Sequence, residues 1–334
     1  MNSALNSTPL AARAPDLRPS ISCVMPAYNE ASNLPVIVPQ VIAGLQALSD
    51  RVEVIVVDDG SRDDTQVVCA ALTQKHPELV FVALSRNFGK ECALTAGLDH
   101  ARGDVVVFMD SDGQHPVDIV AQMLAKWREG FDVVYTVRQS RDDQSGMHGK
   151  LADLFYDFLN WRSRVKIPPH AGDFRLMDRR VADALRMLPE RNRFMKGLYA
   201  WVGFKSFAMP YSPPERLSGQ SHFGFRNAAS LAITGLLAFS SKPLRALGLL
   251  GIGLSAAALF YGLWVIIEYF WLGIDVPGYA TMVAGMMFLS GIQLLSIGVL
   301  AEYVGHIYEE VKQRPTYLVM SRTGRGLGNG DPQR

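Results

Sequence analysis

The chain has 334 residues, enough for one sizeable domain with additions, and a net charge of +1, which leaves no global electrostatic footprint for nucleic acid. Hydrophobic residues make up 49% of it, and most of the surplus falls late in the chain. Its three cysteines, Cys23, Cys69 and Cys92, form no Cys-x-x-Cys pair; their strand and helix contexts suit reduced, buried thiols in a cytoplasmic compartment.

Residues 1–19 are rich in Ser, Ala, Pro and Asn and read as a disordered lead without a signal-peptide pattern. A short apolar strand, Ile21–Met25, ends in Pro26-Ala27-Tyr28-Asn29-Glu30. A helix follows over about Asn33–Leu48, weakened beyond its first turn by Pro35 and Pro39. Val52–Val57 is a second buried strand, ending in Asp58-Asp59-Gly60-Ser61. Asp63 or Asp64 can cap the next helix, which runs to about Lys75. Leu79–Leu84 is a third strand; it ends in Ser85-Arg86-Asn87-Phe88-Gly89-Lys90, and a helix continues to about Ala101. Val105–Phe108 is continuously apolar, as in a strand buried on both faces, and runs out into Asp110-Ser111-Asp112-Gly113-Gln114. A helix over Pro116–Glu129 and a fifth strand over Phe131–Val137 complete the run. Strands alternating with helices imply an α/β fold with a doubly wound, mainly parallel sheet.

Three strand ends finish in polar turns, at 26–30, 58–61 and 110–114. In such a sheet these turns share one edge, where ligands bind. Asp110 and Asp112 can hold a hard divalent cation, Mg²⁺ or Mn²⁺, through carboxylate oxygens, with Gln114 orienting a water or the metal shell. Asp58 or Asp59 can accept hydrogen bonds from a base N–H or a ribose hydroxyl. Asp, Ser and Gly also build ordinary turns, so each motif alone has that plainer reading. Neither Gly-x-Gly-x-x-Gly after the first strand nor a P-loop motif occurs, so nucleotide binding falls to carboxylates and a metal.

With these motifs in order, the chain resembles inverting family-2 glycosyltransferases of GT-A fold. The matching segments are Pro26–Glu30, Asp58–Ser61, Arg86–Lys90 and Asp110–Pro116. More narrowly, it resembles polyprenyl-phosphate glycosyltransferases, relatives of dolichol-phosphate mannose synthase, in the bactoprenol glucosyltransferase subset that ends in a membrane hairpin. The resemblance spans about residues 20–320. It implies a nucleotide-sugar site at Pro26, Tyr28, Glu30, Asp58, Asp59, Lys90, Asp110 and Ser111. Ser111 and Gly113 depart mildly from the family's usual Ala and Leu. The segments Ala171-Gly172-Asp173-Phe174-Arg175, Arg191-Asn192-Arg193-Phe194 and Arg216-Leu217-Ser218-Gly219-Gln220-Ser221 look like further family motifs. After the last, the family often carries Lys-Tyr where this chain has His222-Phe223.

A lipid phosphate acceptor carries close to two negative charges at neutral pH, and the planar Arg fork suits its oxygens. Arg138, Arg175, Arg191, Arg193 and Arg216, with Ser221, are therefore the candidate acceptor-phosphate residues; singly, each also reads as an ordinary surface charge. The nucleophile is already an anion, so no strong general base is required. Asp112 and Asp173 are the candidate catalytic carboxylates. An apolar stripe over 148–164 reads as core or membrane-surface contact.

Two charge-free segments, Ala246–Ile267 and Val276–Ala301, are each long enough to span a bilayer. They read as a transmembrane hairpin over 245–303 (spans about 246–271 and 277–302). A glycosyltransferase domain over 20–222 and a juxtamembrane amphipathic helix over 223–244 precede it, and a tail over 304–334 comes after it. Lys242, Arg245, Lys312 and Arg314 put both termini in the cytoplasm by the positive-inside rule, and Trp264, Tyr269, Phe270 and Trp271 read as the far-side aromatic belt. The resemblance implies inverting transfer of a sugar, glucose from UDP-glucose, to undecaprenyl phosphate at a bacterial inner membrane. GDP-mannose and UDP-aminosugars remain alternative donors, and homo-oligomers are compatible with the sequence. A processive synthase would need Gln-x-x-Arg-Trp and more spans. A membrane-anchored binding or scaffold protein without turnover would not need both aspartates, and a transporter accessory is poorly served by two spans whose one midplane polar residue is Gln293.

Overall fold

The computed structural model describes residues 12–14, 16–138, 166, 168, 171–191, 193–211, 242–272 and 278–328. The chain divides into two units. One runs to residue 228 and resumes at 315; the other comprises residues 229–314.

The first unit is built on β1 (Ile21–Ala27), α1 (Leu34–Leu48), β2 (Val52–Asp58), α2 (Thr65–Lys75), β3 (Leu79–Leu84), α3 (Lys90–His100), β4 (Val105–Phe108), α4 (Val117–Arg128) and β5 (Val133–Arg138), then β6 (Ala171–Asp178), α5 (Arg179–Arg186), α6 (Met195–Trp201), β7 (Ser206–Tyr211) and β8 (Val319–Thr323). Strands β1 to β4 are buried along their whole length, which is why each reads as an unbroken apolar run rather than an alternating one. The sheet order is β7-β5-β6-β4-β1-β2-β3-β8. From β1 the chain steps outward through β2 and β3, then returns to place β4 on the other flank of β1, both pairings parallel. Adjacent strand ends therefore diverge between β1 and β4, the crevice where open sheets bind ligands.

The mainly parallel order expected over 20–137 holds for β1 to β4, but β5 is not their neighbour. β6 inserts between β4 and β5, antiparallel to both, with Phe108 opposite Arg175. Its start, Ala171-Gly172-Asp173, thus lies at the same edge as the ends of β1 and β4.

Helix α1 runs unbroken to Leu48 despite Pro39 inside it. An interior proline costs ~3 kcal/mol. Against that, Leu34, Ile37, Val38, Val41, Ile42 and Leu45 are buried against the sheet. Each contributes ~1.5–3 kcal/mol, so burial wins.

Described residues of two segments that the sequence places outside the glycosyltransferase domain, the lead and the tail, bond to it. In the lead, the Arg13 guanidinium donates to Asp178 (2.8 Å) and Asp132 (3.2 Å) and lies 4.4 Å above the Trp127 ring. In the tail, β8 pairs antiparallel with β3. Beside it, the Tyr317 hydroxyl donates to Asp99 (2.6 Å), and the Leu327 N–H donates to Glu53 (3.0 Å), a carboxylate buried at the opposite end of β2 from the crevice.

The second unit contains α7 (Lys242–Leu272) and α8 (Tyr279–Val311), two helices long and apolar enough to cross a membrane. Side chains such as Leu249, Ile252, Leu259, Phe260, Met287 and Leu294 are exposed along them. Leaving such side chains in water forfeits ~1.5–3 kcal/mol each, whereas lipid removes that cost. Both helices run past the expected spans, α8 by most of three turns. The expected amphipathic helix lies outside the described residues apart from Lys242–Leu244, which begin α7; the stripe over 148–164 also lies outside them.

Candidate active site

Lys90 is the first residue of α3, and its amine joins the two strand ends. Its Nζ lies 2.7 Å from Asp110 Oδ1, beyond β4, and 2.9 Å from Asp173 Oδ2, at the start of β6. The backbone beneath Lys90 is fixed by Asp59, which accepts hydrogen bonds from Phe88 N–H (2.7 Å) and Gly89 N–H (2.9 Å). Gly89 has φ +98°, a conformation that favours glycine. Burial works against the Lys90 charge, but Asp173 and then Asp110 outweigh it and raise its pKa. Burial likewise opposes the Asp173 charge; Lys90, Lys196 and Arg175 overcome it and bring Asp173 down to about 2. Asp173 is thus held as an anion at neutral pH and is a weaker base than an ordinary carboxylate.

The DxD turn is braced from below. Asp112 Oδ1 accepts from Gln114 N–H (3.0 Å), and the Ser111 hydroxyl donates to the Pro26 carbonyl (3.0 Å), tying this turn to the end of β1. Asp110 N–H donates to His115 Nδ1 (2.8 Å), whose ring stacks on Phe174 with centroids 4.4 Å apart. The Tyr211 hydroxyl donates to the Gln114 carbonyl. Asp110 and Asp112 are both partly exposed; Gln114 is buried.

The donor set fits a hard cation, with a limit. Two carboxylates one residue apart supply oxygen ligands of the right kind. Among the described residues, however, no group of three His, Cys, Asp or Glu side chains is arranged to hold a metal. The protein offers an open oxygen-donor edge rather than a closed cage, so a ligand's phosphate oxygens and water would complete the shell.

The other predicted residues divide sharply. Asp58 is fully buried, and its oxygens accept from Ser61 N–H (3.0 Å) and Gln66 Nε2 (3.0 Å), which is the ordinary turn-building role of an aspartate. Glu30 accepts from Asn33 Nδ2 (2.6 Å) near the start of α1, while Tyr28 is exposed at the rim. Arg193 donates to Thr95 Oγ1 (3.2 Å) and to the carbonyls of Leu188 (2.8 Å) and Glu190 (3.2 Å), bracing the 188–193 segment against α3. Arg191 donates to the Pro189 carbonyl at 3.4 Å. Arg138 closes β5, but its side chain lies outside the described residues, as do Arg216 and Ser221.

Arg175 is different. It is only 3% exposed, its guanidinium carbon sits 3.3 Å from the Tyr199 ring centroid, and it donates to the Gly172 carbonyl (2.7 Å), while its Nε has no hydrogen-bond partner among the described residues. It lines a cavity of about 130 Å³ with Lys166, Lys196, Tyr135, Tyr199 and Phe204. Ala171 and Arg175 both line it, and Asp173 sits between them on the same face of β6. The cavity therefore adjoins the Lys90 cluster.

The sequence has counterparts in known proteins. Residues 22–186 match the model for glycosyl transferase family 2, and residues 242–307 match the GtrB C-terminal hairpin. The chain belongs to glycosyl transferase family 2. It is 42% identical over 304 residues to an uncharacterised glycosyltransferase of Synechocystis, covering 91% of this chain and 96% of that one. It is 40% identical over 302 residues to the bactoprenol glucosyl transferase of Shigella phage SfX, covering 90% and 99%. A prophage bactoprenol glucosyl transferase homolog of Escherichia coli K12 is 39% identical over 299 residues, covering 90% and 98%.

The sheet of this glycosyltransferase is accordingly the GT-A arrangement that the motifs implied. Three residues of its site escaped the sequence reading. Lys196 and Tyr199 lie on α6; Lys196 follows the Arg191-Asn192-Arg193-Phe194 motif by two residues, but that motif does not mark the approach of either to β6. Glu91 comes directly after Lys90; its Oε2 accepts from Met195 N–H (3.2 Å) and so ties α3 to α6. Burial, then the nearby Asp173 charge, pushes Glu91 up to about 7, although Met195 N–H and Lys90 pull the other way. Its place beside the Arg86–Lys90 motif is the one signal that could have found it.

Proposed function

We propose that this glycosyltransferase moves a sugar from a nucleoside diphosphate sugar, UDP-glucose first among candidates, to a polyprenyl phosphate, with inversion. The observation that carries this is the Lys90 amine held between Asp110 and Asp173, beside a cavity lined by the buried Arg175. A cationic and anionic edge suits a diphosphate leaving group, and a separate cationic cavity suits a second phosphate. The full-length similarity to proteins named bactoprenol glucosyl transferase supports a polyprenyl phosphate as the acceptor. With the two apolar helices, it also supports a place in the bacterial inner membrane, and the flanking Lys242, Arg245, Lys312 and Arg314 favour a cytoplasmic catalytic unit.

Asp110 and Asp112 would hold Mg²⁺ or Mn²⁺, with Gln114 shaping their turn; the bound ion supplies charge neutralisation at the departing diphosphate. Pro26, Tyr28 and Glu30 would form the donor end, and the buried Asp59 and Ser111 shape it from below. At the acceptor end, Arg175 and Lys196 attract the lipid phosphate, and Asp173 keeps Lys90 in place. An acceptor phosphate oxygen forms a bond to the anomeric carbon from the face opposite the diphosphate. The carbon–oxygen bond to the diphosphate breaks, and its electron pair leaves with the nucleotide. The acceptor brings no proton that must be removed, which agrees with a fully ionised Asp173. Much of the rate would come from holding phosphate and sugar in line.

The test is a donor screen. Purified protein in detergent, with Mg²⁺ or Mn²⁺ and undecaprenyl phosphate, is offered radiolabelled UDP-glucose, UDP-GlcNAc, UDP-galactose and GDP-mannose in turn. Metal-dependent passage of label from UDP-glucose into the organic phase is expected. Transfer from another donor alone would change the sugar but keep the reaction. Nucleotide binding without transfer from any of them would overturn the reaction and favour a binding role.

A further inference from the structure

We propose that Lys90 is a resident counter-cation of the Asp110 carboxylate, and that it makes metal binding conditional on a nucleoside diphosphate. This rests on the reading of Asp110 and Asp112 as the metal-holding pair. The Lys90 ammonium lies 2.7 Å from Asp110 Oδ1, so it already engages one of the oxygens that an ion there would need. It cannot drift away freely. Asp173 grips it from the second side at 2.9 Å, and Asp59 pins the Phe88 and Gly89 amides that precede it.

A divalent ion on Asp110 would sit roughly 2.0–2.6 Å from a carboxylate oxygen. It would then be a close neighbour of the ammonium, with like charges in a partly buried site where screening is weak. Asp112 already has one oxygen accepting from Gln114 N–H, and no third acidic, His or Cys ligand is arranged there among the described residues. The protein alone is therefore a poor metal site. A diphosphate changes the balance, since its oxygens can accept from Lys90 and complete the ion's shell at once. Lys90 would turn from Asp110 towards the phosphate while Asp173 keeps its hold. Donor and metal then enter together, and the free enzyme holds neither ion nor a half-built site.

The experiment is a Mn²⁺ titration of the full-length protein in detergent, read by the free-Mn²⁺ electron paramagnetic resonance signal, without nucleotide and then with UDP. Without nucleotide, Lys90→Met is expected to bind Mn²⁺ at least tenfold tighter than wild type, while Lys90→Arg, which keeps the charge, stays close to wild type. UDP should tighten Mn²⁺ binding at least tenfold in wild type and by far less in Lys90→Met. Lys90→Gln serves in its place if the Met variant does not fold by circular dichroism. Nucleotide-free affinity equal in wild type and the neutral variants would overturn the proposal. So would Lys90→Arg behaving like Lys90→Met. The double variant Lys90→Met with Asp110→Asn separates the two readings: if it binds Mn²⁺ as tightly as Lys90→Met, the ion is not at Asp110 and the metal assignment itself fails.

Discussion

Asp110 and Asp112 stand one residue apart and meet different surroundings: one faces an ammonium, the other folds back on its own turn. Asp110→Asn and Asp112→Asn should each lower turnover by orders of magnitude while circular dichroism and membrane insertion stay unchanged; near-normal turnover in both would remove the metal assignment. Glu91 makes a prediction about pH. Its carboxyl is pushed up to about 7 from an ordinary 4.5, so folding favours the neutral form. That contribution is present below about pH 4.5 and is lost as pH rises through about 7. Glu91→Gln keeps an acceptor for Met195 N–H and cannot ionise. Its melting temperature relative to wild type should therefore rise between pH 5 and pH 8; a constant difference would show that Glu91 does not titrate there. Such behaviour was not legible in the sequence. The aspartates announce themselves because a strand end followed by Asp-x-Asp is a local pattern, whereas Glu91 owes its character to α6, a hundred residues on. The arginines teach the same lesson: Arg175 and Arg193 look alike in sequence, yet one lines a cavity and the other spans three backbone and hydroxyl acceptors.

The element that sets the position of Lys90 is α3, and its seating depends on Gly97. A methyl group there would overlap Val24 Cγ1 on β1. Valine is stiff at χ1 and cannot swing clear. Gly97→Ala should thus cost ~1–3 kcal/mol, read as a lower urea midpoint, and Val24→Ala in the same chain should return part of it. If the single variant is as stable as wild type, the helix has slack that the contact denies. Most elements up to β5 were legible because buried parallel strands carry an unmistakable apolar run. β6 and β7 were not. Ala171–Asp178 carries Gly172, Asp173 and Arg175 among its apolar residues, a mixture that reads as a motif rather than as a strand. It is a central strand because its polar members serve the site and its alternate members, Phe174 and Leu176, enter the core.

On the scale of the whole molecule, the two long apolar helices were legible, since length and absence of charge decide them. The tail beyond them was not. Val319–Thr323 is short, polar and largely exposed, as an edge strand can be, and its partner β3 lies more than two hundred residues earlier. Truncation after Arg314 should therefore lower the thermal stability of the catalytic unit. It removes the β3 pairing, the Tyr317–Asp99 bond and the Leu327 donor to buried Glu53, and leaves β3 as a bare edge open to aggregation. Unchanged stability on truncation would mean that β8 is dispensable.

Because the chain re-enters its first unit after α8, the membrane segment is an insertion within a folded domain rather than an appendage at its end. The usual route to a water-soluble catalytic fragment, cutting before the first span, would discard a piece of the sheet along with the anchor. Excising residues 229–314 and bridging the gap with a flexible Gly/Ser linker long enough to reach keeps every strand in one chain. With the first design cut after residue 228, the two differ in the linker and the last twenty residues, so their relative yield of monomeric protein would report on how much the catalytic unit depends on its own far end.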